Sequence, residues 1–288
     1  MGDRQARPDR LHRRAALLAI AAAALPAPAM AQGRLRTVGD RLTVTEPRLL
    51  PALGRSRRLR IYLPPSYASQ PARRYPVIYF HDGQNLFDDT TSYAGEWGVD
   101  ETLDDLAARH GFEAIAVGID HGEQLRMQEL NPWDHDHTRR GEGFAYLKAL
   151  VETVKPAIDA GCRTRPEAAH TALVGSSMGG LISHAGLHRH AGVFGLGGVF
   201  SPSFWVSPLA VQALTEAEPL RSSQRVFVYA GGREGPGMVE MARAYSDQLR
   251  GQPAAHDLLV RPEAEHNERA WRQVLPLALR FLFQLPAA

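Results

Sequence analysis

Residues Thr171-Ala172-Leu173-Val174-Gly175-Ser176-Ser177-Met178-Gly179-Gly180 decide the fold of this chain. A short apolar strand, Thr171 to Val174, runs into glycine, and the chain resumes as a helical pattern from about Met178. Within it Gly175-Ser176-Ser177-Met178-Gly179 fits G-x-S-x-G, a strand–turn–helix motif that exposes its central serine. The spacing has a physical cause. A turn this tight leaves no room for side chains beside its apex, so glycines flank Ser177. The following helix points its N-terminal N–H groups and positive dipole end toward the serine, where negative charge develops during acyl transfer. The apolar run before the turn and the amphipathic run after it supply the context that a chance Gly/Ser turn lacks. Ser177 is the expected nucleophile.

Working outward, the compact apolar runs Tyr75–Phe80, Glu113–Ile119 and Val193–Phe200 suit strands buried on both faces. Two candidate strands precede them, around Arg41–Thr45 and Arg57–Leu63, and two follow, at Arg225–Ala230 and His256–Val260. Helical patterns lie between, at Val99–Arg109, Phe144–Ala160, Met238–Leu249 and Ala270–Phe283. Such alternation predicts an α/β class: a mostly parallel central sheet with helices on both faces. Residues 84–98 and 120–142 carry no period and read as loops, the second a natural place for substrate-facing parts.

The first 31 residues read as something other than fold. Arg13-Arg14 precede an apolar run from Ala15 to Leu25, and Ala29-Met30-Ala31 offers an A-x-A cleavage site before Gln32. This predicts a signal peptide over 1–31, exported by the Tat or Sec route, and a domain over 32–288 in the periplasm or secreted. The run is too short to span a bilayer, so no stable membrane insertion is expected. The segment holds five Arg and two Asp, so the remaining chain has 28 basic and 29 acidic residues. Nothing in that balance argues for a nucleic-acid partner. Cys162 is the only cysteine and forms no internal disulfide.

A serine hydroxyl is a poor nucleophile unless a base lies within reach and a third group orients that base. In α/β-hydrolases, whose nucleophile elbow the motif resembles, the chain order is Ser, then Asp or Glu, then His, each just past a strand end. His266 follows the last strand and precedes the last helix, whereas His256 begins that strand. Glu234, in Gly231-Gly232-Arg233-Glu234-Gly235, directly follows the strand Arg225–Ala230. Glu265 is a rival in sequence only, because it would have to fold back to reach the adjacent ring. The expected triad is Ser177, Glu234 and His266. The expected oxyanion donors are the N–H of Met178 and, in the loop after Phe80, the N–H of Gln84. His81 and Asp82 are expected to brace that loop.

Five pieces together carry a wider resemblance: Tyr79-Phe80-His81-Asp82-Gly83-Gln84-Asn85-Leu86-Phe87, the Gly175–Gly180 elbow, Phe200-Ser201-Pro202-Ser203-Phe204-Trp205, Tyr229-Ala230-Gly231-Gly232-Arg233-Glu234, and Glu265-His266-Asn267-Glu268-Arg269-Ala270-Trp271. The chain resembles the esterase family of α/β-hydrolases that includes enterobactin esterases, feruloyl and acetyl-xylan esterases, S-formylglutathione hydrolases and mycolyltransferases. The resemblance implies the same triad and oxyanion donors and no cofactor. Its members often carry Asp as the acid; Glu234 follows the siderophore-esterase-like branch.

A small-molecule or polysaccharide-linked ester is the expected substrate. Trp97, Trp133 and Trp205 fall in loops where their rings would suit an aromatic acyl group, while Trp271 reads as packing. Asp134-His135-Asp136-His137 lacks metal-ligand spacing and reads as an exposed polar loop. Three functions fit: an ester hydrolase, an acyltransferase with the same acyl-enzyme, and a binding module on a hydrolase shell. The last should have lost a triad residue, and all three positions are filled.

Overall fold

The computed structural model describes residues 37–135 and 140–286. The expected signal peptide, its cleavage point after Ala31, and Asp136 and His137 lie outside the described residues.

Eight strands form the main sheet: β1 (Leu42–Val44), β4 (Leu59–Tyr62), β5 (Val77–His81), β6 (Ile115–Ile119), β7 (Thr171–Ser176), β8 (Leu196–Phe200), β9 (Arg225–Gly231) and β10 (Ala255–Arg261). Strands β2 (Arg48–Leu50) and β3 (Arg55–Arg57) make a separate antiparallel hairpin. The order across the main sheet is β1-β4-β6-β5-β7-β8-β9-β10. β1 pairs with β4, and β4 with β6, antiparallel; every pairing from β6 to β10 is parallel.

Helices cover both faces because the strands alternate. In β5, Val77 and Tyr79 pack into one core and Ile78 and Phe80 into the other. In β9, Val226, Val228 and Ala230 face the first core, and Phe227 and Tyr229 the second. The first core takes residues from α3 (Gly143–Ala149), α4 (Lys155–Gly161), α5 (Met178–Arg189), α6 (Pro208–Ala217) and α7 (Met238–Leu249). The second takes residues from α1 (Val99–His110) and α8 (Glu268–Phe283), which also pack on each other. Each fully buried Leu, Val, Ile or Phe contributes about 1.5–3 kcal/mol.

This topology positions the site. After β5 the chain crosses to β6 on one side, then returns to β7 on the other side of β5. Connections therefore diverge at the carboxyl ends of β5 and β7, and a crevice opens there. His81 ends β5, and Ser177 follows β7.

Three departures from the sequence reading have identifiable causes. The helix expected over 144–160 runs from 143 to 161 but loosens into a π turn at Leu150–Val154. Pro156 has no N–H to return to the Glu152 carbonyl, which favours that widening. The excursion 120–142 contains a short helix, α2 (Arg126–Glu129), with too few apolar residues for a period. Partners far away in the chain fix it: buried Glu129 is ion-paired with Arg55 and Arg57 of the hairpin. The strand expected from Val193 begins only at Leu196, because Val193 and Phe194 both donate to the His190 carbonyl in a turn.

Candidate active site

Ser177 sits at φ 58°, ψ −120°, a conformation that L-residues avoid and that costs roughly 1–3 kcal/mol. Neighbours hold it there. Its N–H donates to the Phe200 carbonyl at 3.0 Å, and its carbonyl accepts from the Ser203 N–H at 3.0 Å. Gly175 is obligatory, because a Cβ there would lie 2.5 Å from the Gly179 carbonyl oxygen and 2.7 Å from the His81 ring. The first helical bond of α5 runs from the Leu181 N–H to the Ser177 carbonyl. The N–H of Met178 therefore falls in the first turn, which has no carbonyl of its own helix to meet.

Ser177 opens into a cleft of about 380 Å³ whose wall includes Phe80, His81, Asp82, Asn85, Trp97, Arg126, His266, Glu268 and Trp271. A larger groove beside β10 and α8 contains none of these groups. Position at the strand ends, rather than size, marks the chemistry.

The structure brings the three expected residues of the triad to one place. His266 is in the cleft wall, and its Nδ1 lies 3.5 Å from Oε2 of Glu234, whose side chain is fully buried. At that separation Oε2 faces the ring nitrogen without a hydrogen bond, and it has no hydrogen-bond partner among the described residues. Oε1 of Glu234 accepts from the Ser201 hydroxyl at 2.6 Å. The Ser177 Oγ lies 3.2 Å from the Ser203 Oγ, a neighbour that sequence reasoning did not single out. Glu265 is exposed and accepts from the Asn267 side chain at 3.3 Å.

The β5 loop is braced from two directions. His81 is buried, with Nδ1 2.8 Å from the Tyr146 hydroxyl, and burial holds its imidazole down to about 4, neutral at ordinary pH. Asp82, at φ 58°, accepts two bonds from Arg126. Burial alone would raise the Asp82 carboxyl; the guanidinium charge and its hydrogen bonds outweigh burial and hold it below its ordinary range. Gln84 uses its side chain to clamp His121, accepting from the His121 N–H at 3.0 Å. The cleft wall passes through Asp82 and Asn85 on either side of Gln84.

The tryptophans are distributed differently from the sequence expectation. Of Trp97, Trp133 and Trp205, only Trp97 lines the cleft, and it is buried against Phe80, Phe200 and Trp271. Trp133 packs edge-on against Phe144, and Trp205 is 46% exposed with its ring 6.4 Å from His135; neither is in the cleft wall. The loops leave strand ends as expected, but ring direction is set by packing partners that sequence does not reveal. Trp271, expected to be packing alone, lines the cleft, meets the His266 ring edge-on at 5.1 Å and donates Nε1–H to Ser201 at 2.9 Å. His121 and Arg126, from the polar excursion, are further cleft residues that carried no motif.

A parallel-sheet crevice with a strained serine between strand and helix defines the α/β-hydrolase class. Within that class the chain belongs to the putative esterase family, whose model matches residues 51–282. An uncharacterised protein of Bacillus subtilis (strain 168), YbbA, is 27% identical over 186 residues, 62% of this chain and 70% of that one. Among solved structures, an IroE-like serine hydrolase from Shewanella oneidensis superposes with a TM-score of 0.71 at 21% identity, covering 84% of this chain and 80% of that one. The enterobactin esterase FES from Shigella flexneri gives 0.69 at 20% identity, covering 88% of this chain and 61% of that one. A ferulic acid esterase gives 0.65 at 19% identity, covering 85% and 99%. These structural likenesses share the fold. Family and fold together make the chain an esterase-type hydrolase.

Proposed function

We propose that this chain is an exported carboxylic-ester hydrolase that works through an acyl-enzyme on Ser177. One observation carries the reading: the strained serine and an imidazole share a cleft, and a buried carboxylate lies 3.5 Å behind that imidazole. As the Ser177 Oγ bonds to the ester carbonyl carbon, His266 takes the hydroxyl proton, and Glu234 stabilises the imidazolium. The N–H groups of Met178 and Gln84 donate to the oxyanion; losing one such donor costs about 10²–10³ in rate. The imidazolium then protonates the departing alcohol as its C–O bond breaks. Water repeats the sequence on the acyl-serine and releases the acid.

The substrate is a small-molecule or polysaccharide-linked ester, and the cleft volume suits a ligand of drug-like size. The test is a panel of esters, from acetyl to feruloyl and catecholate types, on purified protein and on Ser177→Ala. Hydrolysis that disappears in the variant, with a serine-bound acyl mass trapped in the wild type, supports the reading. Product formed only with an added alcohol acceptor would make the chain an acyltransferase. Export is checked by intact mass: the exported form should begin at Gln32.

A further inference from the structure

The Ser201 hydroxyl sits fully buried between the Glu234 carboxylate and the Trp271 indole. Ser201 follows β8 at φ 42°, a left-handed conformation for a non-glycine residue, and its N–H is tied to the Tyr229 carbonyl at 2.7 Å. An indole N–H can only donate. The bond from Trp271 Nε1 to Ser201 Oγ therefore occupies a lone pair of the hydroxyl. Its one proton is left for Glu234 Oε1, 2.6 Å away. That bond fixes Oε1, and with it the plane of the carboxylate, so that Oε2 is the oxygen facing His266 Nδ1. Oε2 has no other anchor among the described residues. Trp271 also holds the other partner, because its ring meets the His266 ring edge-on at 86°. The helix carrying it is set by Asn267, whose side chain accepts from the Ala270 N–H at 3.0 Å.

We infer that Ser201 and Trp271 are positioning residues, one hydrogen-bonded relay that aims the Glu234 carboxylate at His266 while the same indole steadies the imidazole. The inference rests on the reading of Glu234 as the acid. Ser201 is not in the cleft wall, so its effect should fall on turnover and not on substrate affinity.

The experiment is a set of kinetic cycles on folded protein, with thermal melts as control. Ser201→Ala should lower kcat about 10–100-fold with KM nearly unchanged, and Trp271→Phe, which keeps a ring and removes the N–H, should lower kcat in the same sense. Trp271→Phe should cost little more once Ser201 is Ala, and Ser201→Ala should cost little more once Glu234 is Gln. A structural role alone would lower stability without this coupling. If Glu234→Gln is severely impaired while Ser201→Ala and Trp271→Phe turn over like wild type, the relay is overturned and the acid stands. Additive losses also overturn the relay. If Glu234→Gln itself remains near wild type, both readings fall. Should Ser201→Ala fail to fold, Trp271→Phe paired with Glu234→Gln decides by the same criterion.

Discussion

Asp82 and Arg126 meet in a two-point ion pair, Nε to Oδ1 at 2.6 Å and Nη2 to Oδ2 at 2.8 Å, that ties the end of β5 to the 120–142 excursion. The pair stands in the cleft wall beside Ser177 and fixes a residue held in left-handed backbone. Removing the cation leaves a buried carboxylate without its partner. Arg126→Met should destabilise the fold by about 2–4 kcal/mol and loosen the loop that carries Gln84, while the double variant with Asp82→Asn recovers part of the loss. Urea unfolding of the four proteins measures it. The Asp82 carboxyl is held low when folded, so the pair's stabilisation is present above about pH 4, the ordinary carboxylate value, and is lost as pH falls through the depressed folded value. Equal unfolding curves for Arg126→Met and wild type would contradict this.

Ser177 and His266 should behave as one unit. Ser177→Ala and His266→Ala are each expected to lower ester turnover by several orders of magnitude, roughly 10³ or more, with little further loss in the double variant. Single-turnover kinetics on an activated ester decides it. Losses that multiply would mean the two groups act separately.

Glu234 and Glu265 are distinguished by substitution. Glu234→Gln keeps the shape and the bond from Ser201 but removes the charge facing His266, so kcat should fall by about 10²–10⁴ with the melting temperature little changed. Glu265, exposed and bonded only locally, should tolerate Gln with activity near wild type. The reverse result would assign the acid to Glu265.

Acid should destabilise the protein through its buried imidazoles. His188 donates Nδ1–H to the Glu218 carbonyl at 2.7 Å and accepts from the Tyr245 hydroxyl at 3.2 Å, which fixes a neutral tautomer. Thr215 spends its proton on the Val211 carbonyl, so neighbouring His184 must donate Nε2–H to it. Burial lowers both imidazoles, His188 to about 4, and His81 likewise. Each stays neutral in the fold but takes a proton near 6.5 when unfolded, so the unfolded state binds more protons below that pH. Stability should fall as pH drops from about 6.5 toward 4, by up to about 3 kcal/mol for His188. Denaturation at pH 7 and 5 on wild type and His188→Gln tests the sign: the variant should lose less between the two.

Acyl preference should follow the tryptophans that line the cleft. Trp97→Leu is expected to reduce an aryl-over-acetyl preference several-fold and to cost about 1–3 kcal/mol of stability. Trp205→Ala, outside the cleft wall, should change neither. Matched aryl and acetyl esters of one leaving group give the ratio, and an effect at Trp205 equal to that at Trp97 would refute the assignment.

The elbow, most of the alternation of strands and helices, and the places of Ser177, Glu234 and His266 after strand ends were legible in the chain; helix α6 and the β2–β3 hairpin were not. Backbone geometry imposes local demands: glycine where a turn is tight, and a near-continuous apolar run where both faces of a strand are buried. Such demands leave marks on neighbouring residues. Tertiary structure alone decided which side chains fill the cleft. Arg126 reaches Asp82 across 44 residues, Trp271 meets Ser201 across 70, and Glu129 is held by a hairpin more than 70 residues upstream. Sequence placed Trp97, Trp133 and Trp205 in suitable loops, yet only packing turned Trp97 inward and left Trp205 in solvent. The direction of a side chain depends on partners brought together by the sheet order, and no period or spacing within one segment encodes them.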